Sequence, residues 1–123
     1  MNTPLTFVTQ LPRDDGCGVV VLQMLSGRTY DEIAAIIDWP IPGVHYSTWT
    51  EIMAGLDALG IAHGEVMPAE TWDEVTGLAV VHVQPDHFIL VDLDRGLFYD
   101  PGQEAGPQTS SEAVPRSWLP VRR

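Results

Sequence analysis

The sequence has no lysine, a single cysteine and no long apolar run, and each shortage closes off a class of function. With lysine missing, six arginines stand against 17 acidic residues, and the net charge is −11. A field of that sign repels phosphate backbones and anionic lipid surfaces, and the only basic cluster is Arg122-Arg123. Neither nucleic acid nor a membrane is an expected partner. One cysteine cannot form an internal disulfide, so a reducing, cytoplasmic setting is the expectation. No apolar stretch approaches the roughly 18 residues of a membrane span. The segment "MNTPLTFVTQ" also lacks the basic-then-apolar order of a secretory signal.

What is present suits one packed domain over residues 1–123, with 45% of the chain hydrophobic. Three stretches, "TYDE" at 29–32, "TWTE" at 48–51 and "TWDE" at 71–74, each place a Glu three positions after a Thr. That is the spacing of a capping box, in which each side chain satisfies the other residue's backbone N–H at a helix start. Their separations, 19 and 23 residues, are unequal and exclude a structural repeat. The second start is followed by Ile52, Met53, Leu56 and Leu59 at helical spacing, then Gly60 as a left-handed stop. The first helix runs to about Ile37, before Pro40. The third is cut short by Gly77.

Beyond Gly77 the pattern changes to β-branched and aromatic runs. "LAVVHV" (78–83), "HFILVDL" (87–93) and "LFYD" (97–100) are separated by "QPD" and "DRG", turns of hairpin length, and predict an antiparallel meander. "IAHGEV" (61–66) offers a further strand, and "DPGQEAGPQTSS" (100–111) reads as a loop. Helices followed by strands predict an α+β domain. The segment "CGVVVLQMLS" (17–26) divides evenly. Its three valines favour a strand, whereas Asp14 or Asp15 as a cap and Gly27 as a stop suit a helix buried on all sides.

Cys17 opens that segment. Only about 3% of an ordinary thiol is ionised at pH 7, and a helix N-terminus with a neighbouring imidazolium can ionise it almost fully. A catalytic cysteine therefore needs a helix start, an imidazole and a group to orient that imidazole. Gly18 leaves room for a substrate carbonyl. His87 opens a strand just after a turn, and Asp100 ends the partner strand, so pairing across "DRG" brings the two to one end of a hairpin. Each residue also has a plainer reading: a buried core thiol, a turn histidine, a turn-starting aspartate before Pro101. His82 and His87 lack the further ligands of a metal site, so no metal is expected. His45 and His63 stand alone, Asp92 and Asp94 flank a turn as solvated carboxylates, and Gln10 by itself carries no signal.

Taken in order, Gln10, Cys17, His87 and Asp100 with their contexts resemble the papain-like cysteine peptidases of the bacteriocin-processing, double-glycine leader type. "CGVVVLQMLSGRTYDEI" is similar to the family's cysteine-bearing helix and the helix after it, and "WTEIMAGLDALGIAHGEV" to the next helix and strand. "HFILVDLDRGLFYDP" is similar to the His-strand, turn and Asp-Pro element, and "SSEAVPRSW" to a closing helix that ends in Trp. The resemblance implies a papain-like α+β fold in which N-terminal helices, the nucleophile helix first, pack on a C-terminal antiparallel sheet. It makes 17–26 a helix, Cys17 the nucleophile, His87 its general base and Asp100 the residue that orients His87. Gln10 donates to the oxyanion, and no cofactor is required. One departure concerns Gly16, which stands where the family commonly has Asp. The step from Gln10 to Cys17 is also about one residue long, and Gly16, tolerant of unusual backbone angles, is positioned to absorb it. No transmembrane or nucleotide-binding segment follows, so a stand-alone relative is expected, not an exporter.

The function implied is a thiol peptidase acting on a peptide or protein substrate after small residues such as Gly-Gly. The competing readings are an inactive papain-like module that binds peptides or proteins, and a thiol acyl-transfer enzyme acting on a non-peptide amide. A small metal-binding regulator is the weakest alternative.

Overall fold

A computed structural model of the protein describes residues 5–9, 16–103 and 106–123. Three helices come first: α1 (Cys17–Ser26), α2 (Tyr30–Ile36) and α3 (Trp49–Ala58). Strands β1 (Ala62–His63) and β2 (Met67–Pro68) and a short 3-10 turn (Trp72–Glu74) follow. The remainder holds β3 (Leu78–Val83), β4 (His87–Asp92), β5 (Leu97–Tyr99) and β6 (Pro115–Arg122). All pairings are antiparallel, in the order β1-β6-β3-β4-β5, with β2 also on β6. This is an α+β fold with N-terminal helices against an antiparallel sheet.

Burial decides the valine run in favour of a helix. Val19, Val20, Val21 and Leu22 are at most 2% exposed, because α1 lies between the sheet and the other two helices. A central helix apolar all round offsets the modest intrinsic preference of Val for strands through burial of every face. No side chain caps it: the N-cap is Gly16, while Gly27 ends it at φ 74°. All three Thr/Glu capping boxes form, the third on the 3-10 turn.

The sheet is buried on both sides. Val80, Leu90 and Leu119 face a core shared with the helices, while Val81, Val91 and Trp118 face a second core covered by Ala69, Trp72 and Val75. Here one expectation fails. Residues 110–114 form no helix, and the chain then enters β6, which lies between β3 and β1. Pro115 and Pro120 explain the outcome, since each removes an N–H and crowds the preceding turn of a helix. Trp118 and Leu119 pair with Val81 and Val80 and go to opposite cores, as strand alternation requires. Pro115 sits beside a register shift between His82 and Val83, where a missing donor is tolerated. The expected meander β3–β4–β5 is present, with β6 added on the other side of β3.

Candidate active site

Cys17 is the first residue of α1 and is partly exposed. The Gly16 carbonyl accepts the Val20 N–H at 2.9 Å, so the first-turn N–H groups at Cys17 have no partner within the helix and present the positive end of its dipole. His87 is the first residue of β4, and Asp100 directly follows β5. The hairpin register, with Leu90 opposite Tyr99, brings both to one end of the sheet. The His87 Nε2–H donates to Asp100 Oδ1 at 2.7 Å, and the Gly102 N–H donates to the same oxygen at 2.8 Å. His87 also hydrogen-bonds Cys17. With Nε2 committed to Asp100, Nδ1 is the ring nitrogen left for the sulfur.

Electrostatics follow from that arrangement. Burial works against the charged form of His87, but hydrogen bonds to Asp100 and Cys17, together with their negative charge, outweigh it and push the pKa up to about 9. Burial likewise tends to raise Asp100, and its bonds from His87 and Gly102 reverse this and hold it below the usual carboxylate value. His87 and Asp100 thus each favour the charged form and make a charged, hydrogen-bonded pair.

Of the four residues singled out in the sequence, Cys17, His87 and Asp100 come together, and Gln10 lies outside the described residues. The same is true of Asp14 and Asp15. Two glycine readings change. Gly16 has φ −92° and ψ 29°, a conformation open to other residues, so its backbone angles do not explain it. A side chain there would collide with the Tyr30 ring. Gly18 is buried, and a Cβ on it would lie 2.5 Å from Ser47 Oγ, so its lack of a side chain serves packing and opens no approach for a carbonyl.

That contact exposes a feature the sequence reading missed. Residues 38–48 form a strap from α2 to α3 over the start of α1. His45, expected to stand alone, shares a hydrogen bond at Nδ1 with the Tyr30 hydroxyl (2.9 Å), and its ring packs tilted at 47° against Trp39 with centroids 4.9 Å apart. Tyr46, 48% exposed, donates to Asp86, whose other oxygen bonds His82 Nε2 at 2.8 Å. The charge on Cys17 is close enough to Tyr46 to help raise its pKa, behind the larger effects of Asp86 and burial. Nothing local marks this chain of contacts, because Tyr46 and Asp86 are 40 positions apart. His63, also expected to be unpaired, bonds Asp57 at 2.9 Å. Among the described residues no cluster could hold a metal ion, and no helix is long and apolar enough to cross a membrane.

No family model and no curated protein matches the sequence. Two solved structures match the fold. The peptidase domain of Streptococcus ComA, a bifunctional ABC transporter of a quorum-sensing pathway, superposes with a TM-score of 0.68 at 16% identity, over 95% of this chain and 97% of that one. A double-glycine motif protease from an AMS/PCAT transporter, solved with its leader peptide, gives 0.66 at 16% identity, over 95% of this chain and 90% of that one. The chain therefore has the fold of these peptidase domains.

Proposed function

We propose that the chain, taken over residues 1–123 as one domain, is a cysteine peptidase. The observation that carries this reading is His87 bonded at once to Asp100 and Cys17, with Cys17 at a helix start. Each group then has a step. The Cys17 sulfur attacks the scissile carbonyl carbon, and the oxyanion that develops is met by the Cys17 backbone N–H and, in this reading, the Gln10 side-chain amide. One such donor is worth about 3 kcal/mol in the transition state. The His87 imidazolium passes its Nδ1 proton to the departing amine as the C–N bond breaks and leaves a thioester. His87, now neutral, takes a proton from water, whose oxygen attacks the thioester; the acid leaves and the sulfur is regenerated. Asp100 holds the ring in one tautomer throughout. The reaction so written uses no cofactor.

For substrate we take extended peptides with Gly-Gly before the cut. The support is the fold shared with a double-glycine motif protease, together with the resemblance of the Cys-Gly and His…Asp-Pro elements. The net charge of −11 favours peptides with Arg or Lys near the cut, through an attraction that weakens with salt. The test is mass-spectrometric cleavage of a Gly-Gly peptide library by the wild type and by Cys17→Ala. Cleavage after Gly-Gly by the wild type alone is expected. Gln10→Ala should cut turnover by roughly a hundredfold, as loss of one oxyanion donor does. A reactive Cys17 with no peptide cut would turn the assignment to acyl transfer on another amide. An unreactive Cys17 would turn it to a binding module.

A further inference from the structure

Tyr46 and Asp86 each stand one step away from the Cys17–His87 pair. Tyr46 precedes Ser47, which is buried against Gly18, the residue after Cys17. Asp86 directly precedes His87. The hydrogen bond from the Tyr46 hydroxyl to Asp86 Oδ2 therefore joins the strap over α1 to the turn that leads into β4, and so the layer carrying Cys17 to the layer carrying His87. Asp86 is also held from the sheet. His82 Nε2 donates to its Oδ1 at 2.8 Å, and the His82 ring packs tilted at 49° on Phe88 with centroids 4.9 Å apart. Phe88 is buried and meets Trp49 of α3 edge-on at 5.0 Å. The bond from Tyr46, then that from His82, holds the Asp86 carboxyl below its usual value. The same bond raises the Tyr46 hydroxyl, so the phenol keeps its proton and stays the donor.

Such a tie matters at the ends of elements more than at their middles. The body of α1 is fixed on β4 by the shared core, but Cys17 opens the helix and His87 opens the strand. Element ends open most readily, and Gly16, as N-cap, has no side chain to bond the first turn. The buried Ser47 hydroxyl has no hydrogen-bond partner among the described residues, so the strap's hold on Gly18 is packing without direction. Trp39 and His45 bond back to α2, to the Ala34 carbonyl and the Tyr30 hydroxyl. Tyr46 reaches across to the β3–β4 turn. We propose that Tyr46, Asp86 and His82 are positioning residues, a tie that sets the reach between the Cys17 sulfur and the His87 imidazole from outside the triad. Its purpose rests on the peptidase reading given above; its effect is measured without turnover.

Tyr46→Phe removes the hydroxyl, keeps the ring and changes no charge. It should slow iodoacetamide labelling of Cys17 at pH 6 about tenfold, since small displacements of a reacting group cost that much or more. The NMR titration of the His87 ring should move down toward 6.5, because contact with Cys17 helps to raise it. Asp86→Ala should do the same, and the double variant should be no slower than the slower single, since both cut one tie. His82→Phe keeps a ring on Phe88 but loses the donor, and should give a smaller change of the same sign. Asp57→Asn, which alters the His63 pair at the other end of α3, should change neither reading. Circular dichroism and denaturant midpoints confirm that each variant is folded. With Gly-Gly peptides, Tyr46→Phe should lower kcat and leave KM in place. Unaltered labelling and His87 titration in Tyr46→Phe overturn the inference, as do independent, multiplying effects of Tyr46→Phe and Asp86→Ala. A raised KM with normal labelling also overturns it and makes Tyr46 a substrate contact. If wild-type Cys17 labels only on unfolding, the peptidase reading fails, and the His87 titration still decides the tie.

Discussion

His87 Nε2 and Asp100 Oδ1 lie 2.7 Å apart, although 13 positions of sequence separate them. The distance follows from a two-strand register in which β4 and β5 begin and end at the same edge. Backbone ladder bonds set that register, so the strand that Asp100 directly follows positions its carboxylate beside His87. The opposite partner, Cys17, is positioned by α1, whose burial on every face fixes its rotation against β4.

A thiol beside an imidazolium at a helix start reacts as thiolate at low pH. Iodoacetamide should therefore label Cys17 readily at pH 6, and His87→Ala should move labelling to alkaline pH. The measurement is the pH profile of the alkylation rate in folded protein. A Cys17 that labels only on unfolding would remove it from any chemistry.

The second prediction concerns the alkaline limb. His87 is raised to about 9, so its imidazolium, which in the proposed mechanism protonates the leaving amine, persists to that pH and is lost above it. The pH profile of kcat should fall through about pH 9. Asp100→Asn removes the negative charge that helps hold the proton, and the limb should move toward neutrality. The sign for stability is the same. A histidine raised from 6.5 stabilises the folded state fully below pH 6.5, and this contribution disappears as pH rises through about 9. Asp100, being lowered, stabilises above its ordinary value of 3.8 and loses that contribution as pH falls below it. Denaturant midpoints of the wild type, His87→Ala and Asp100→Asn across pH 3–10 check both signs. A limb unmoved by Asp100→Asn would sink the coupling.

The helix starts and the β3–β4–β5 meander were legible because their signals are local: Thr and Glu three apart, alternation of burial, short turns. The helix at 17–26 was not settled locally, since Val prefers strands and only burial between sheet and helices overrides that preference. β6 was hidden by Pro115 and Pro120, which look like breakers, and by Trp118, whose place in the second core depends on strands nearly 40 positions away. The His87–Asp100 contact was legible because one hairpin carries both residues. The strap was not, because Tyr46–Asp86 and Gly18–Ser47 join distant segments with no periodicity between them.

Gly18 provides the test of that strap. A methyl group on it would lie 2.5 Å from Ser47 Oγ, 2.7 Å from Ser47 Cβ and 2.8 Å from Ile52 Cδ1, closer than real side-chain contacts allow. Ser47 is only 4% exposed, so neither it nor the helix can yield without moving packed neighbours. Overpacking of this kind costs about 1–3 kcal/mol, and Gly18→Ala should destabilise the protein by that amount. The strap should lift from the start of α1, and amide exchange across residues 38–48 should quicken. Ser47→Gly removes the two nearer atoms, so the double variant should recover much of the lost stability, giving a favourable coupling in a double-mutant cycle. If Gly18 instead served to admit a substrate carbonyl, Gly18→Ala would lower kcat/KM with no change in unfolding free energy, and Ser47→Gly would rescue nothing.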